Sequence, residues 1–310
     1  GAPSAIFVSR FVDNNNKENG DPIAYISTSI VAASNGASFL DKPWMAVDVP
    51  RKGAQVCRIS TPKKAPVLLP GNNSNAASSG NAAPQAIGNI NQQVLAGRMF
   101  VAYTSITTTT SLTAPPVVES KIMLSRSDDC GASWTKPVQI SRPEDKVNQG
   151  ATIAIDPRTG TVHVAWRQFG LDANAPDAIM SASSDASGKT FGKPRKAHAF
   201  PATRKPDQLL QKLQRGHRMG DVHELVSIKP FDSSTAATRF RTNAYPTIAI
   251  DDESRVYLAW TERGYGGRPL LPGETPAADG DARIVMSTSR SGLPWTAPTP
   301  IDSGEFAGHQ

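Results

Sequence analysis

The amino-acid sequence predicts an all-β protein built from repeated antiparallel sheets, and three observations support this. First, three stretches of the chain share one order of elements: an apolar strand ending in Asp, a second strand ending in an aromatic residue, a third strand, a tight turn and a fourth strand. Second, these strands are short, rich in Val, Ile and Ala, and bounded by Gly, Pro, Asp and Ser, which is typical of strands. Third, "TVHVAW" and "RVYLAW" are apolar on both faces, as strands between two neighbouring sheets are.

The repeat divides most of the chain into three units. It predicts one four-stranded antiparallel sheet in each of residues 40–142, 147–200 and 243–302, with almost no helix outside 201–225. Four-stranded antiparallel sheets repeated around an axis are the blades of a β-propeller. The sequence therefore predicts a propeller, as one domain over residues 1–310.

Two residue types recur at fixed positions of the repeat. The first strands end in aspartates: Asp48, Asp156 and Asp251. Because a catalytic acid occurs once per site, a residue repeated in every unit favours a role in the turns. The tryptophans also follow the repeat, and their bulk favours positions in the core: Trp44, Trp134, Trp166, Trp260 and Trp295.

The two ends of the chain fit the same pattern. Ahead of the first unit, "AIFVSRF" and "PIAYISTS" are similar to a second and a third strand of the repeat. At the other end, "GEFAGHQ" lies where another first strand is expected to start. The sequence thus predicts about four blades of a propeller that is incomplete at both ends.

The turn between the third and fourth strands of the first unit carries a motif, "SRSDDCGASWTKP". Ser127, Asp129, Gly131 and Trp134 follow the spacing S-x-D-x-G-x-x-W, in which short polar side chains can bond to turn amides and glycine supplies an unusual backbone conformation. This pattern resembles the Asp box of sialidase-type (BNR-repeat) propellers. The resemblance covers most of the chain and implies a six-bladed fold in which the boxes are structural and remote from any active site. We therefore expect Asp129 to accept backbone hydrogen bonds within its own turn.

Two weaker copies of the motif occupy the same place in the other units. The second has one extra residue before its glycine and consists of Ser183, Asp185, Gly188 and Phe191. The third keeps Gly292 and Trp295, with Arg290 at the aspartate position. We call the three segments 127–134, 183–191 and 290–295 the box turns.

Two segments interrupt the repeat. Residues 60–97 are rich in Asn, Ala, Ser, Gly and Pro, which predicts a flexible insertion. Residues 201–242 hold eight Lys or Arg and four Asp or Glu, which makes this insertion basic. In a four-stranded meander, the turns after the first and third strands share one end, which we call the box face. The loops after the second strands and the connections between units share the other end, the loop face. We expect residues 60–97 on the box face and 201–242 on the loop face.

The resemblance also implies what a catalytic member would need on the loop face. Three arginines would grip the substrate carboxylate, beside a tyrosine nucleophile with a glutamate and an acid/base aspartate. Candidates on or near this face are Arg167, Arg241, Tyr245, Glu262, Arg263 and Tyr265. The family's Arg-Ile-Pro motif has no match, because Arg58-Ile59 lacks the proline and follows a first strand, on the box face.

Two functions remain open at this point. The favoured one is a secreted or cell-surface, non-catalytic propeller that binds glycans or protein partners or forms part of a surface assembly. A periplasmic location is consistent with the same features. The alternative is a glycoside hydrolase of exo-sialidase type, with part of its catalytic set outside this chain.

The charge and composition of the chain indicate which classes of partner it is expected to bind. The formal charge of +6 and the basic insertion favour a glycan or another acidic polymer, and a protein partner or a neighbouring subunit fits as well. The basic residues are not interleaved with aromatic ones, so we expect no nucleic-acid partner. The chain has no run of about 18 apolar residues, so we expect no membrane span. We also expect no cofactor. His217 and His223 are more typical of solvated loop residues than of metal ligands, so we expect no metal. Cys57 and Cys130 allow one disulfide in a secreted protein, and the sequence leaves their pairing open.

Overall fold

The computed structural model contains strands and turns and no helix in the residues that it describes. These residues are 3–12, 24–52, 54, 56–60, 91–110, 113, 117–170, 176–185, 187–200, 245–263 and 282–302. The strands are β1 (Ser4–Val12), β2 (Ala24–Ser34), β3 (Phe39–Val47), β4 (Val56–Ser60), β5 (Asn91–Leu95), β6 (Met99–Thr109), β7 (Val117–Ser127), β8 (Val138–Gln139), β9 (Asn148–Ile155), β10 (Val162–Gln168), β11 (Ala178–Ser183), β12 (Arg195–Ala199), β13 (Thr247–Ile250), β14 (Val256–Arg263), β15 (Ala282–Ser289) and β16 (Thr299–Pro300).

Three sheets have four strands each, and all their neighbours are antiparallel. Sheet I has the order β3-β6-β7-β8, sheet II the order β9-β10-β11-β12 and sheet III the order β13-β14-β15-β16. They fall within residues 39–139, 148–199 and 247–300. The prediction of one four-stranded antiparallel sheet in each unit is confirmed.

Sheet II lies between the other two sheets. On β10, Val164 and Trp166 pack in one core cluster with Phe100 and Leu124 of sheet I. Ala165, between them in sequence, packs in a second cluster with residues of sheet III such as Leu258. Successive side chains of a strand point to opposite faces of its sheet, so "TVHVAW" is apolar on both faces because both faces are covered.

The tryptophan prediction is wrong at one position. Trp166 and Trp260 are buried, and Trp134 and Trp295 pack partly buried against core clusters. Trp44, however, is 48% exposed. It lies on the edge strand β3, next to the register shift between Asp41 and Trp44, so its side chain is directed away from the cores.

The hairpin of β1 and β2 runs in the opposite direction to the one that the sequence predicted. The Leu40 amide donates to the Ser4 hydroxyl at 3.1 Å, so the start of β1 lies beside the start of β3. Arg10, near the end of β1, donates to the Cys130 carbonyl in the first box turn, at the opposite end of sheet I. β1 therefore runs in the direction of a first or third strand, and the assignment of these strands as a second and a third is wrong. Composition indicates a strand but carries no information on its direction.

A second hairpin, β4 with β5, lies within the segment that interrupts sheet I. Five consecutive pairs join the two strands, from Val56 with Leu95 to Ser60 with Asn91. The composition of residues 60–97 did not predict β5. Cys57 of β4 forms a disulfide with Cys130 in the first box turn, which fixes this hairpin at the box face.

Candidate functional site

The first box turn is held together by the side chains that define its motif. The Ser127 hydroxyl donates to Asp129 Oδ1 at 2.8 Å and accepts the amide of Gly131 at 2.8 Å. Asp129 also accepts the Ser133 amide at 2.9 Å and the Ser133 hydroxyl at 2.6 Å. Partial burial alone would raise the pKa of Asp129, but the hydrogen bonds from Ser133 and Ser127 outweigh it and the pKa is lowered. The expectation that Asp129 accepts a backbone hydrogen bond inside its own turn is confirmed.

The same turn attaches the β1–β2 hairpin to sheet I. Trp134 donates through Nε1 to the Ser29 hydroxyl at 2.9 Å, and that hydroxyl donates to the Gly131 carbonyl at 2.6 Å. Trp134 packs beside Ile6 and Val31 of the hairpin. The motif therefore stabilises a contact between neighbouring sheets as well as the turn itself.

The second box turn keeps the role of its aspartate but not that of its serine. Asp185 accepts the amide and the hydroxyl of Ser187 and the hydroxyl of Thr190, at 2.6–3.0 Å. These bonds lower the pKa of Asp185 from 3.8 to about 2, the Ser187 hydroxyl contributing most. Ser183 takes part through its carbonyl, which accepts the amide of Gly192. The aromatic position, Phe191, packs against the core cluster shared by sheets I and II.

The third box turn holds its shape without an aspartate. The amide of Thr296 donates to the Thr288 carbonyl at 2.9 Å. Equivalent bonds close the other two turns, from Thr135 to Arg126 and from Gly192 to Ser183. Gly292 lies against the ring of His163 in sheet II. Each box turn thus contacts the preceding sheet or hairpin, and the backbone closure is what the three have in common.

The aspartates that end the first strands serve the turns. Asp156 Oδ1 accepts the amide of Arg158 at 2.8 Å, and Asp251 Oδ1 accepts the amide of Arg255 at 2.8 Å. Asp48 instead binds Arg51 through both carboxylate oxygens, at 2.8 and 2.9 Å. Asp156 and Asp251 therefore have the turn role that their repetition predicted, whereas the Asp48 side chain forms an ion pair.

On the loop face, Arg167 is the first candidate with a described environment. It is buried at the end of β10, and its Nη2 lies 2.9 Å from Asp177 Oδ2. Its guanidinium also stacks over the rings of Phe200, at 4.2 Å, and Phe169, at 5.1 Å. The charge of this arginine is therefore paired within the protein, and two aromatic rings contact its guanidinium.

Glu262 lies near the end of β14 in a similar environment. It is buried, and its two carboxylate oxygens accept from His198 Nε2 at 2.9 Å and from Trp260 Nε1 at 2.8 Å. The His198 ring packs on Trp260 and, edge to face, on Phe200. Because Phe200 also covers Arg167, a continuous cluster joins the two candidates across sheets II and III.

Tyr245 precedes β13 and contacts a third group of residues. Its hydroxyl donates to Gln149 Oε1 at 2.9 Å, and Gln149 is opposite Arg167 in the β9–β10 pairing. Lys42 lies over the Tyr245 ring at 5.6 Å. The structure thus places three of the six candidates at the same end of sheets II and III.

The structure does not describe the side chains of the other three candidates. Arg241 and Tyr265 lie outside the described residues, and only the backbone of Arg263 is described. His217, His223 and the basic insertion 201–242 also lie outside them.

The sequence analysis missed the partners that fill the loop face. They are Asp177, His198, Phe200 and a second buried arginine, Arg283, which binds Asp302 at 2.7 Å. Asp177 precedes β11, and the β10–β11 pairing sets it close to Arg167. A search for opposite charges across each predicted hairpin could have found this pair, whereas His198 and Glu262 meet only through the packing of two sheets.

The buried ionisable side chains described on this face are bonded to other groups of the protein. Arg167 and Arg283 are each paired with a carboxylate, and Glu262 accepts hydrogen bonds from His198 and Trp260, as buried charges and polar groups require. No three His, Cys, Asp or Glu among the described residues are placed to hold a metal ion. Within the same residues there is no helix long and apolar enough to cross a membrane.

No protein-family model matches the sequence, and no curated protein is similar to it. Among solved structures, the chain is similar to a protein of unknown function from Dyadobacter fermentans DSM 18053, at 15% sequence identity and a TM-score of 0.35. The similarity covers 66% of this chain and 52% of that one, so this chain spans about half the length of that protein. A likeness at this TM-score carries no argument about fold or function.

Proposed function

We propose that sheets I, II and III are consecutive blades of a sialidase-like β-propeller that binds its ligand without cleaving it. Two features support the propeller. Sheet II is covered on both faces by its sequence neighbours, and each box turn contacts the element before it. Radial stacking of four-stranded sheets produces this pattern of contacts.

The observation that supports a non-catalytic role is that the side chains of Arg167 and Glu262 are already bonded to other residues of the protein. Arg167 is bonded to Asp177 and stacked on Phe200, and Glu262 accepts two hydrogen bonds from His198 and Trp260. A substrate carboxylate would have to displace Asp177 from a buried ion pair before it could bind Arg167. Such a displacement is costly, because it leaves a buried charge without its partner.

The disulfide between Cys57 and Cys130 supports a secreted or cell-surface protein. Disulfides persist in oxidising compartments and are rare in reducing ones. The periplasm is oxidising in the same sense and fits equally well.

The charge of the basic insertion, which connects two strands at the loop end of their sheets, supports an acidic ligand. β12 ends at Ala199 and β13 begins at Thr247, and both positions lie at that end of their sheets. The segment between them carries a net charge of +4 over residues 201–242. An anionic glycan, or an acidic surface of a protein partner, complements this charge.

Binding to a carboxylated polysaccharide such as polysialic acid tests the proposal. We expect the full chain to bind it at low salt and to release it steeply as salt rises, because the Debye length falls to about 3 Å at 1 M. Deletion of residues 204–241 should abolish binding and leave the melting temperature of the sheets unchanged. Binding that ignores salt or survives the deletion would contradict the proposal.

A fluorogenic sialoside tests the alternative function. We expect no hydrolysis above the uncatalysed rate at any pH from 4 to 8. Turnover that is lost in Glu262→Gln, in a variant shown to be folded, would establish a glycoside hydrolase and overturn the non-catalytic assignment.

A further inference from the structure

A basic cleft opens on the box face, at the opposite end of the sheets from the loop face. Its volume is about 300 Å³, and its charged lining residues are Asp48, Arg51, Lys52, Arg98, Arg126, Asp128 and Lys189. Five of these side chains are cations and two are carboxylates, which gives a formal charge of +3. The volume is at the lower end of small-ligand sites and suits one charged sugar unit.

The two carboxylates do not neutralise the cleft. Asp128 is shared, because its Oδ1 lies 3.3 Å from Arg98 Nε and its Oδ2 lies 2.8 Å from Arg126 Nη2. Asp48 is bound by Arg51. The ammonium groups of Lys52 and Lys189 form no ion pair in the described part of the chain. The charges of Lys52 and Lys189 therefore have no counterion among the described residues.

Arg126 provides a second, independent observation. It is only 9% exposed, and its guanidinium is fixed by the Ser187 carbonyl at 2.9 Å and by Asp128. Because two contacts fix the guanidinium, its positive charge is held in one position at the cleft.

The walls of the cleft are held in place by long-range contacts. Arg51 crosses from sheet I to sheet II, where it donates to the carbonyls of Asp156, Pro157 and Arg158 at 2.8–3.1 Å. On the other side, the disulfide from Cys57 holds the β4–β5 hairpin, whose flanking residues Ala54 and Ala96 line the cleft. The charges are therefore brought together before any ligand binds, which lowers the entropy cost of binding.

We propose that this cleft binds a tetrahedral oxyanion, a sulfate or phosphate ester, through Lys52, Lys189 and Arg126. Ammonium groups act as compact point charges and suit such an anion, and the fixed guanidinium of Arg126 adds a third positive charge. The site is separate from the loop face, so the proposal does not depend on the function proposed above.

Titration calorimetry on the full chain at physiological salt tests this, with inorganic sulfate, inorganic phosphate and a sulfated disaccharide against its unsulfated form. We expect the sulfated disaccharide to bind and the unsulfated form not to bind. If inorganic sulfate or phosphate matches the sulfated disaccharide, the ligand is the free anion; if the disaccharide binds at least tenfold tighter, the ligand is a glycan. Either result supports the oxyanion site, and absence of binding by all three overturns it.

Matched variants distinguish binding in the cleft from a general effect of the positive charge of the protein. Lys52→Ala with Lys189→Ala should weaken binding at least tenfold, whereas Lys121→Ala with Lys136→Ala, which removes the same charge outside the cleft, should change it less than twofold. Arg126→Lys keeps the charge but loses the guanidinium that the Ser187 carbonyl and Asp128 fix in place, and should weaken binding at least threefold while the protein stays folded by circular dichroism. Equal losses in the two double variants would overturn the proposal.

Deletion of residues 204–241 distinguishes this site from the loop face. We expect the deletion to leave the affinity for the sulfated disaccharide within twofold of the full chain. Loss of that affinity on deletion, with no effect of the Lys52 and Lys189 substitutions, would assign the binding to the loop face and overturn the proposal that the cleft is the site.

Discussion

Arg167 and Asp177 form a buried ion pair at the loop end of the β10–β11 hairpin, with Nη2 and Oδ2 at 2.9 Å and side chains that are 8% and 0% exposed. Asp177 Oδ1 also accepts the amide of Gly170 at 3.1 Å, so the pair fixes the start of the loop. The same arginine stacks on Phe200, which packs on His198. One ion pair therefore supports the aromatic cluster that joins sheets II and III.

Asp177→Ala should lower the free energy of unfolding by about 3–5 kcal/mol, because it leaves the Arg167 charge buried without a partner. Urea denaturation measures this. The control is Glu119→Ala, which breaks an equally short but exposed pair with Lys146. It should cost less than about 1 kcal/mol. Similar losses in the two variants would contradict a structural role for the buried pair.

Much of the fold was predictable because its signals are local. Strand composition and the repeated order of elements located all three four-stranded sheets, and the first box motif located the turn in which Asp129 accepts the Ser133 amide. Each of these depends on residues within one turn or one hairpin.

What the sequence did not predict depends on packing. The direction of β1 is set by contacts of Ser4 and Arg10 with distant parts of sheet I. β5, with the sequence "NQQVL", pairs with β4 although its composition is that of a polar loop. On the loop face, Glu262 was identified from its position, but its partner His198 is 64 residues away in sequence. Contacts of this kind depend on how the sheets pack together, and the composition of a segment does not predict that packing.

Gly188→Ala should destabilise the protein by about 2–4 kcal/mol. Gly188 has a φ of 63°, which L-residues adopt at a cost, and a Cβ there would lie 2.2 Å from the buried ring of Phe100. Gly192→Ala is the matched control, because its Cβ would meet nothing closer than 3.6 Å. Thermal unfolding should show a large loss for the first variant and little change for the second. Equal melting temperatures would contradict the close packing of the second box turn on sheet I.

Replacing both cysteines, Cys57→Ser with Cys130→Ser, should lower the free energy of unfolding by about 2–4 kcal/mol. The disulfide closes a loop across a sequence separation of 73, and chain entropy alone gives about 4 kcal/mol for a loop of this length. Denaturation of the wild-type protein with and without a reducing agent is the measurement, and reduction should reproduce the effect of the double variant. A reducing agent that has no effect would show that the pair is not bonded in solution.

Asp129→Ala should lower the free energy of unfolding by about 1–2 kcal/mol, the scale of a lost turn cap. The variant removes the acceptor for the amide and hydroxyl of Ser133. Asp252→Ala, at an exposed turn position, should stay within about 0.5 kcal/mol of the wild type. A loss of ligand binding without a loss of stability in Asp129→Ala would instead place this residue in a binding site.

The acid dependence of stability should contain a contribution from Asp185. Its pKa in the folded protein is about 2, below its ordinary value of 3.8, because the hydroxyls of Ser187 and Thr190 and the amide of Ser187 bond to its ionised form. A lowered pKa stabilises the fold above pH 3.8, and this stabilisation is lost as the pH falls from 3.8 towards 2. Asp185→Asn lacks the titrating group, so it should be less stable than the wild type at pH 6, and the gap should narrow as the pH approaches 2. Melting temperatures of the two proteins at fixed ionic strength measure the gap, and a constant gap from pH 6 to pH 2 would show that these hydrogen bonds do not favour the ionised carboxylate.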